Sequence, residues 1–591
     1  MGKSKDKKKK GQGMERTLAK TEKKIQKNIK KELKEIGEED VETIIANFAK
    51  KEAELNQVKE EQLPNGNFPS RRGGATFNLS PEREEMILFG GDYFDGNKVF
   101  MYNDLFIYNI KKSLWTLIKA PNAPPPRTFH QSVYVSRNSG ELWIFGGEFS
   151  SPSQSQFYHY NDLWMFSFQT KTWTKIMSPN TPSPRSGHRM VVYKKYLILF
   201  GGYYDNLRNC KFYNDTHLFN LETNQWEEMK FSPNNDVPSP RSACQLSVCN
   251  KNNTVVLYGG FSKEKLKKDR EKGVVHSDMY VLSCETKKTD KIEWCWKRAK
   301  QSGVKPSERI SFSMITLHDD TALLFGGVFD QDECDLDEED ESNSSFFNDL
   351  YRLDLTSHKW TRLTLKGKKE QKSKKAKSSP NTTGDDQEMI DEEEDETLEE
   401  EKEDEVKMEQ LDIQKDDVFT LTYSNKPTEA NEDVVVCVKQ EEAKNIFTPH
   451  SRRSAYLQFF KGNLYLYGGK FEDQNDKEFT FNDMYSLNVK KMDEWKILYE
   501  DKEINEELKK QAEWSDMEED EESDEEEEDD DEDLEIEAPA VEDGETLDEY
   551  FERTEDVWIE EAQKEFPNEK SKKLLKKMGL ELCKLFWDNC K

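Results

Sequence analysis

The sequence is poor in hydrophobic residues and has no long apolar run. Hydrophobic residues make up 34% of the 591 residues, below the roughly 45–50% of a typical globular domain. No segment approaches the ~18–20 consecutive apolar residues that span a bilayer, so we expect no membrane segment. Much of the chain therefore cannot be packed core. Aromatic residues nevertheless reach 11%, which indicates that one part of the chain folds densely.

Paired cysteine motifs are also lacking. The chain has nine cysteines but no Cys-x-x-Cys pair, and Cys244 and Cys249 have no second pair to complete a zinc site. The opening Met-Gly-Lys-Ser-Lys has no signal-peptide character, and Asp6 stands where a myristoylation signal needs Ser or Thr. These absences predict reduced thiols and a cytoplasmic and/or nuclear location.

Basic residues are the minority charge. The chain has 87 Lys and Arg against 119 Asp and Glu, a net charge of −32. Eighteen acidic residues fall between Asp516 and Glu537. Phosphate repulsion makes a net-acidic protein a poor overall binder of nucleic acid. The Lys-rich tail at 1–12 is the exception, and it reads either as a nuclear or nucleolar address or as an arm that makes weak RNA contacts.

Helical patterns flank the middle of the chain. Residues 13–60 are rich in Lys, Glu, Ala and Leu, and Val41, Ile44, Ile45 and Phe48 form one apolar stripe. This stripe either lies on the globular body or binds a partner.

Residues 545–591 predict a C-terminal helical hairpin. Its first helix opens with a capping box, Thr546-Leu-Asp-Glu549, and Pro567 separates it from the second. The first apolar face comprises Leu547, Tyr550, Phe551, Thr554 and Trp558, and the second comprises Leu575, Met578, Leu582 and Phe586.

Six copies of a four-part repeat occupy residues 66–500. The first part is an apolar run that ends in a glycine pair: Gly90 and Gly91, Gly146 and Gly147, Gly201 and Gly202, Gly259 and Gly260, Gly326 and Gly327, Gly468 and Gly469. The second is an Asp that opens a strand: Asp104, Asp162, Asp215, Asp278, Asp349 and Asp483. The third is a Trp in a short strand: Trp115, Trp173, Trp226, Trp296, Trp360 and Trp495. The fourth is an Arg in a Pro-rich turn: Arg72, Arg127, Arg185, Arg241, Arg309 and Arg453.

The repeat length predicts an all-β fold, a six-bladed β-propeller. Successive first glycines lie 56, 55, 58, 67 and 142 residues apart, and the last gap contains a charged low-complexity insert at 366–446. Removing the insert restores a period of about 60, near that of propeller blades. A four-stranded blade buries both faces only between two neighbours. The tail, the insert and the acidic run at 515–540 are predicted to be disordered, because such charged segments cannot offset their ordering entropy.

The residues of the repeat resemble kelch repeats. Three segments extend the resemblance to the kelch domain-containing protein 4 family: Val41-Glu-Thr-Ile-Ile-Ala-Asn-Phe48, Gln156-Phe-Tyr-His-Tyr-Asn-Asp-Leu-Trp164 and Leu547-Asp-Glu-Tyr-Phe-Glu-Arg-Thr554. The resemblance covers nearly all of the chain outside the acidic runs. It implies a six-bladed kelch propeller with N- and C-terminal helical extensions and no established enzymatic activity.

Candidate partner-binding residues lie in the loops after the glycine pairs and in the Arg turns, which kelch propellers usually use for recruitment. The loops carry Tyr93, Tyr158, Tyr160, Tyr204 and Arg208, and Tyr and Arg are enriched in interface cores. The six repeat arginines have two interpretations. They are either bound to strand-end carbonyls or Asp side chains, or they form a cationic ring that binds an acidic peptide or a carboxyl terminus.

No constellation of residues predicts catalysis. The sequence has no Gly-rich phosphate loop, and His130 and His188 vary across the repeat as ordinary repeat positions do. We therefore expect no enzyme, no cofactor and no metal. Ser515 and Ser523 have acidic residues at +3 and are candidate phosphorylation sites.

The favoured function is a non-enzymatic interaction scaffold that binds a protein partner through its loop face. One alternative is an assembly factor or chaperone for a basic client, such as a ribosomal protein or histone, that would be shielded by the acidic runs. Another is a ubiquitin-ligase substrate receptor, as some kelch proteins are, although no BTB-like or F-box-like domain fits in the flanks.

Overall fold

The structure is a computed structural model that describes residues 38–206, 210–265, 271–286, 292–330, 344–367, 446–473, 477–510, 539, 547–565, 575–576, 579–580 and 583–584. The chain divides into two compact units after Ile504. The basic tail, the interior of the insert, the acidic run at 516–537, Arg208, Ser515 and Ser523 lie outside the described residues. Among the helices that are described, none is long and apolar enough to cross a membrane.

Helix α1, Val41–Ala53, precedes the propeller. It begins at Asp40, whose side chain accepts a hydrogen bond from the backbone N–H of Glu42, which satisfies one of the N–H groups that a first turn leaves unpaired. Val41, Ile44, Ile45 and Phe48 are half-buried. Of the two interpretations of this stripe, the structure shows the helix lying on the globular body.

Blades 1 to 3 are each built on four antiparallel strands in chain order, with a separate two-stranded hairpin between the second and the third, and blade 1 carries one added strand at its outer edge. Blade 1 has β1 (Lys59–Gln62), β2 (Thr76–Ser80), β3 (Glu85–Phe89), β4 (Asp92–Phe94), β5 (Val99–Met101), β6 (Leu105–Asn109) and β7 (Leu114–Lys119). Blade 2 has β8 (Gln131–Val135), β9 (Glu141–Phe145), β10 (Glu148–Ser150), β11 (Phe157–His159), β12 (Leu163–Ser167) and β13 (Thr172–Ile176). Blade 3 has β14 (Arg189–Tyr193), β15 (Tyr196–Phe200), β16 (Tyr203–Asp205), β17 (Cys210–Phe212), β18 (Thr216–Asn220) and β19 (Gln225–Glu228).

Blades 4 to 6 repeat the arrangement, with one added strand in blade 5 that pairs parallel to its outermost strand. Blade 4 has β20 (Gln245–Cys249), β21 (Thr254–Lys265), β22 (Glu271–Thr286) and β23 (Ile292–Arg298). Blade 5 has β24 (Ser302–Gly303), β25 (Ser313–Thr316), β26 (Thr321–Phe325), β27 (Val328–Asp330), β28 (Ser344–Phe346), β29 (Leu350–Asp354) and β30 (Lys359–Leu363). Blade 6 has β31 (Tyr456–Phe460), β32 (Asn463–Glu472), β33 (Glu478–Asn488) and β34 (Lys496–Tyr499).

The strand that follows each Arg turn is the innermost strand of its blade: β2, β8, β14, β20, β25 and β31. The chain after each glycine pair forms a hairpin. In blades 1, 2, 3 and 5 this hairpin is a separate two-stranded sheet. In blades 4 and 6 the two central strands continue into it past a register shift. We call the side of the propeller that carries these hairpins the hairpin face.

Strand β1 corrects one sequence prediction. Residues 13–60 were predicted to be helical, but α1 ends at Ala53 and Lys59–Gln62 pair antiparallel with β7. All four residues of β1 are exposed, so they lack the apolar alternation that identifies a strand from sequence. Strand β7, at the outer edge of blade 1, supplies the backbone hydrogen-bond partners that hold β1 in place.

Each tryptophan of the repeat packs between two blades. Trp173 of blade 2 lies against Phe89 of blade 1, with 5.1 Å between ring centroids, and Trp226 lies 5.3 Å from Phe145 in the same way. The remaining pairs are Trp296 with Phe200, Trp360 with Tyr258, Trp495 with Phe325 and Trp115 with Tyr467. The aromatic residue before each glycine pair thus meets the Trp of the next blade, which fills the wedge between them.

The glycine pairs are required by backbone conformation and by close approach. The first glycine of each pair has φ between 58° and 70° and the second between 89° and 116°, a region that favours glycine. A Cβ on Gly201 would lie 2.5 Å from the carbonyl oxygen of Arg241 in the next blade. A side chain at this position would therefore push neighbouring blades apart.

The ring closes by contacts between blades 6 and 1. Arg71 pairs with Asp501 at 2.9 Å, and the ring of Phe68 stacks on Tyr499 at 3.8 Å. The amide Nε2 of Gln458 donates to the carbonyl of Phe77 at 2.6 Å. Because the four main strands of each described blade are consecutive, this seam is held by side chains and packing.

The second unit contains helix α2, Leu547–Glu565. The buried side chains Tyr550, Phe551, Thr554 and Trp558 belong to the predicted apolar face. Thr554 departs from helical geometry, and its hydroxyl donates to the carbonyl of Tyr550, a local bond that bends helices. Of the predicted second face, Leu575 is described and buried.

Candidate protein-binding face

The repeat arginines link three parts of each blade. Arg127 is fully buried, and its guanidinium donates to the carbonyl of Gly146 at 3.1 Å and to the carboxylate of Asp162 at 2.8 Å. The same contact recurs in the other blades: Arg72 with Gly90 and Asp104, Arg185 with Gly201 and Asp215, Arg241 with Gly259 and Asp278, Arg309 with Gly326 and Asp349, and Arg452 with Gly468 and Asp483.

These arginines are not available to a partner. Each is at most 3% exposed, and the structure shows the first of their two interpretations, in which they bind strand-end carbonyls and Asp side chains. Their assignment as partner-binding residues is therefore corrected for Arg72, Arg127, Arg185, Arg241 and Arg309. The cationic ring that would capture an acidic peptide is not formed by them.

The aspartates are charged partners in these contacts. Burial raises the pKa of Asp215, but hydrogen bonds from Arg185 and His217 outweigh burial and hold the pKa well below its ordinary value. Burial likewise opposes ionisation of Asp162, and the charge of Arg127 overcomes it, so the pKa of Asp162 is also lowered. Both carboxylates are therefore ionised at neutral pH and form buried ion pairs.

The sixth arginine was assigned one residue too late. Arg452 occupies the buried repeat position, whereas Arg453 bridges Lys470 as Ser186 bridges Tyr203 in blade 3. The side chain of Arg453 is 29% exposed and pairs with Glu472 and Glu478 at 3.2 and 3.0 Å. Two consecutive arginines satisfy the motif equally well, so the sequence alone does not distinguish them.

The candidate tyrosines divide by exposure. Tyr158 is 37% exposed, and Tyr93 and Tyr204 are half-buried. Tyr160 is buried beneath the guanidinium of Arg127, at 4.2 Å, and its hydroxyl donates to the carbonyl of Pro126. The structure therefore corrects the assignment of Tyr160, because this ring packs the hairpin onto its blade.

Sequence reasoning missed the residue that follows each glycine pair. In blade order these residues are Asp92, Glu148, Tyr203, Phe261, Val328 and Lys470, and each forms a bridge with the residue after a repeat arginine. They surround the channel mouth on the hairpin face. The position is charged or polar in blades 6, 1, 2 and 3 and apolar in blades 4 and 5, a pattern that aligning the six repeats would reveal.

A network of polar groups occupies the charged half of the mouth. Lys470 Nζ lies 2.7 Å from Glu478 and 3.8 Å from Asp92, and the hydroxyl of Thr128 donates to Asp92 at 2.5 Å. Burial raises the pKa of Asp92. The lysine thus bridges two carboxylates across the seam between blades 6 and 1.

Glu148 is a second acid of this network whose pKa is raised. The hydroxyl of Tyr203 donates to its carboxylate at 3.0 Å, and the Nδ1 atom of His159 lies 3.4 Å away. Burial raises the pKa of Glu148 to about 7 and lowers the pKa of His159. The charge at this point of the mouth therefore changes near neutral pH.

A strained aromatic residue stands at the axis. The residue two after each repeat arginine has φ between 51° and 62°, and these residues join between blades by backbone hydrogen bonds such as Phe129 N–H to Gly74 O at 2.8 Å and Gly187 N–H to Phe129 O at 2.9 Å. Phe129 is the bulky member of a set that otherwise contains Gly74, Gly187, Ala243, Ser311 and Ser454. A left-handed backbone costs roughly 1–2 kcal/mol for such a residue.

Phe129 is also open to solvent. Its residue exposure is 42%, and it lines a cavity of about 230 Å³ in the channel together with Tyr456 and Gln245. Because strained residues concentrate at functional sites, the combination of strain and exposure at Phe129 makes the mouth a candidate binding surface.

The family described as the KLHDC2/KLHL20/DRC7 Kelch-repeats domain matches residues 38–260 and 229–384, which together are more than half of the chain. Residues 532–591 match a domain of unknown function, DUF4110.

Individual relatives share the repeat region. The chain is 27% identical over 289 residues to the leucine-zipper-like transcriptional regulator 1 homolog of Drosophila melanogaster, covering 47% of this chain and 25% of that protein. It is 25% identical over 219 residues to human kelch domain-containing protein 10, covering 36% of this chain and 44% of that protein. It is 26% identical over 261 residues to mouse kelch domain-containing protein 1, covering 40% of this chain and 57% of that protein. The chain thus spans less than two thirds of the length of each of these relatives.

Among solved structures, the chain is similar to one titled "Structure of YjhT". The match has 13% sequence identity and a TM-score of 0.42, and it covers 73% of this chain and 98% of the other.

Proposed function

Because the chain belongs to the KLHDC2/KLHL20/DRC7 Kelch-repeats domain family, whose propellers generally mediate protein–protein interactions, we propose that it is a non-enzymatic scaffold that binds a protein partner at the channel mouth of the hairpin face. We further propose that it is a member of the kelch domain-containing protein 4 family and that it acts in the cytoplasm and/or nucleus.

The observation that supports this proposal best is Phe129. A left-handed backbone at a phenylalanine is costly, and burial in the free protein offsets that cost only in part, because the residue is 42% exposed. A partner that covers the ring would bury apolar area worth ~25 cal/mol per Å². Exposed aromatic residues of this kind are typical anchors of protein interfaces.

Other exposed aromatic residues on the hairpins and the charged groups of the mouth indicate the chemistry of the partner. Phe94, Phe100 and Tyr158 on the hairpins of blades 1 and 2 are 37%, 47% and 37% exposed. Lys470 and Glu148 provide a charged and a titrating group within the mouth. The partner that fits is a protein segment with an apolar side chain for Phe129 and polar backbone groups for the network beside it.

The test is affinity capture of the full-length protein from its own cells at low salt. The variant Phe129→Ala/Tyr158→Ala removes two anchors, and Ile497→Ala is the matched control, because Ile497 is 48% exposed but lies on β34, the outermost strand of blade 6. We expect a specific partner to be lost from the double variant and kept by the control. Equal capture by all three proteins would contradict the proposal.

The same experiment addresses the alternative function. A form that lacks 516–537 removes the acidic run without changing the mouth. If basic ribosomal proteins or histones are captured and are lost only from this form, the assembly-factor function replaces the scaffold. The weak RNA contact of the tail at 1–12 stays a prediction that the capture experiment, repeated after RNase treatment, would test.

A further inference from the structure

The attachment of helix α1 to blade 2 depends on one carboxylate. Glu38 lies three residues before the helix, and the tip of the β10–β11 hairpin surrounds it. Its Oε2 atom accepts hydrogen bonds from the hydroxyls of Ser151, Ser153 and Ser155 at 3.0, 2.7 and 2.7 Å. Its Oε1 atom accepts from the backbone N–H of Ser153 at 3.1 Å. We call Glu38 and these three serines the serine clasp.

The hydrogen bonds of the serine clasp stabilise the ionised form of Glu38. Burial opposes ionisation, but the hydrogen bonds from the serines outweigh it and lower the pKa of Glu38 to about 2. Gln156 continues the contact, since its side-chain amide donates to the carbonyl of Glu39 at 2.9 Å and its oxygen accepts from the N–H of Val41 at 3.0 Å. The start of α1 is thus fixed to the hairpin tip by polar groups.

The rest of α1 is attached less firmly. None of its residues is buried, and Phe48 meets the buried Phe149 at 6.2 Å between ring centroids. A cavity of about 390 Å³ lies beside the helix, lined by Ile45, Ala49, Tyr158 and Trp164 among others. A helix of 13 residues is marginal by itself in water, so the clasp contributes much of what keeps it docked.

The far end of α1 would stay in place if the clasp opened. The backbone N–H of Asn122 donates to the carbonyl of Glu52 at 3.3 Å, and the side chain of Asn103 donates to the Glu52 carboxylate at 3.2 Å. Strand β1 then anchors the chain to blade 1. Opening the clasp would therefore release the first turn of α1 from blade 2 while the last turn stays attached. This movement would uncover Phe149.

We propose that Ser153 is a phosphorylation site and that its phosphorylation opens the serine clasp and releases α1 from blade 2. Ser153 is exposed, whereas Ser151 is buried and Ser155 is half-buried, so Ser153 is the serine of the clasp that a kinase can reach. Its hydroxyl oxygen attacks the γ-phosphorus of ATP, the bond to the ADP oxygen breaks, and the hydroxyl proton passes to the catalytic carboxylate of the kinase. The proposal is independent of the identity of the partner.

Charge decides the direction of the effect. A phosphoserine carries about −1.5 to −2 charges at pH 7, and it would replace a donor to Glu38 by a dianion in contact with that carboxylate. A helix N-terminus attracts anions by roughly 0.3–1 kcal/mol at exposed sites. Here the N-terminus of α1 is already capped by Asp40 and Gln156 and carries Glu38, Glu39 and Glu42 besides. Repulsion therefore exceeds the attraction of the dipole.

The test uses the full-length protein with phosphoserine incorporated at position 153, and it measures hydrogen exchange of the amides at 41–53. We expect exchange to rise at least tenfold, while phosphoserine at Ser139, in the β8–β9 turn of the same blade, leaves it unchanged. In the Glu38→Lys variant, phosphoserine at position 153 should slow the exchange of these amides relative to the unphosphorylated variant, because the phosphate then pairs with a cation. Unchanged exchange, or slower exchange with Glu38 intact, would overturn the proposal.

A second measurement tests whether Ser153 is a substrate. The purified protein is incubated with ATP and lysate of its own cells, and the modified serines are mapped by mass spectrometry with Ser153→Ala as the control. We expect phosphate on Ser153. Modification of other serines alone would refute the assignment.

Discussion

Two adjacent arginines allow a direct test of the repeat. Arg452 is 1% exposed and donates to both carboxylate oxygens of Asp483, at 2.6 and 2.9 Å, and to Gly468. Removing one partner of a buried ion pair costs about 3–5 kcal/mol, because the other charge is left uncompensated. Arg453 makes half-exposed pairs that contribute about 0–1 kcal/mol. We expect Arg452→Gln to lower the free energy of unfolding by about 4 kcal/mol and Arg453→Gln by less than about 1 kcal/mol.

The assay is urea unfolding followed by the fluorescence of the buried tryptophans. Asp483→Asn should cost as much as Arg452→Gln, and the double variant should lose less than the sum of the two, since the second substitution removes the unpaired charge. Equal losses for Arg452→Gln and Arg453→Gln, or a double variant that loses the full sum, would refute the assignment of Arg452 to the repeat.

Three further predictions concern the core and the channel mouth. Trp115→Ala should cost about 3–5 kcal/mol, because it empties the wedge between blades 6 and 1, and urea unfolding measures the loss. Phe129→Gly should stabilise the free protein by about 1 kcal/mol, because it relieves the left-handed strain, yet it should abolish partner capture; a loss of stability would contradict the strain. Glu148→Gln should stabilise the protein at pH 8 more than at pH 5. The raised pKa of Glu148, about 7 against an ordinary 4.5, means that the folded state binds more protons between these values, so stability falls as pH rises through that window. Unfolding of both proteins at the two pH values checks this, and an equal difference at both would contradict it.

The architecture was predictable because the residues that define the repeat are dictated by backbone conformation and side-chain volume. Only glycine fits where a Cβ would lie 2.5 Å from the next blade, and only a large ring fills the gap beside Phe89, so Gly201 and Trp173 are visible in the sequence. The apolar face of α2 was predictable from helical spacing for the same reason.

The binding face was less predictable because exposure depends on tertiary contacts. Arg127 and Tyr160 are residue types that are enriched in interfaces. Inside the blade, however, the guanidinium of Arg127 stacks on the ring of Tyr160, so these groups cover each other. The residue type of Phe129 does not indicate its importance, because that importance lies in a positive φ that only the structure reveals. The exposed strand β1 has no apolar pattern and is specified by the edge that it pairs with.

The seam between blades 6 and 1 has a kinetic consequence. Strand pairs within each described blade join nearby segments of the chain, whereas Arg71 and Asp501 are 430 residues apart in sequence. Local contacts form fast and distant ones slowly, because the loop-closure entropy must be met first. The strands of each blade can thus pair as successive blades leave the ribosome, and ring closure awaits the last strand. Until then the sides of Phe68 and Phe77 that meet Tyr499 and Tyr456 of blade 6 stay exposed to solvent, and such transiently exposed apolar surface favours aggregation of newly made chains.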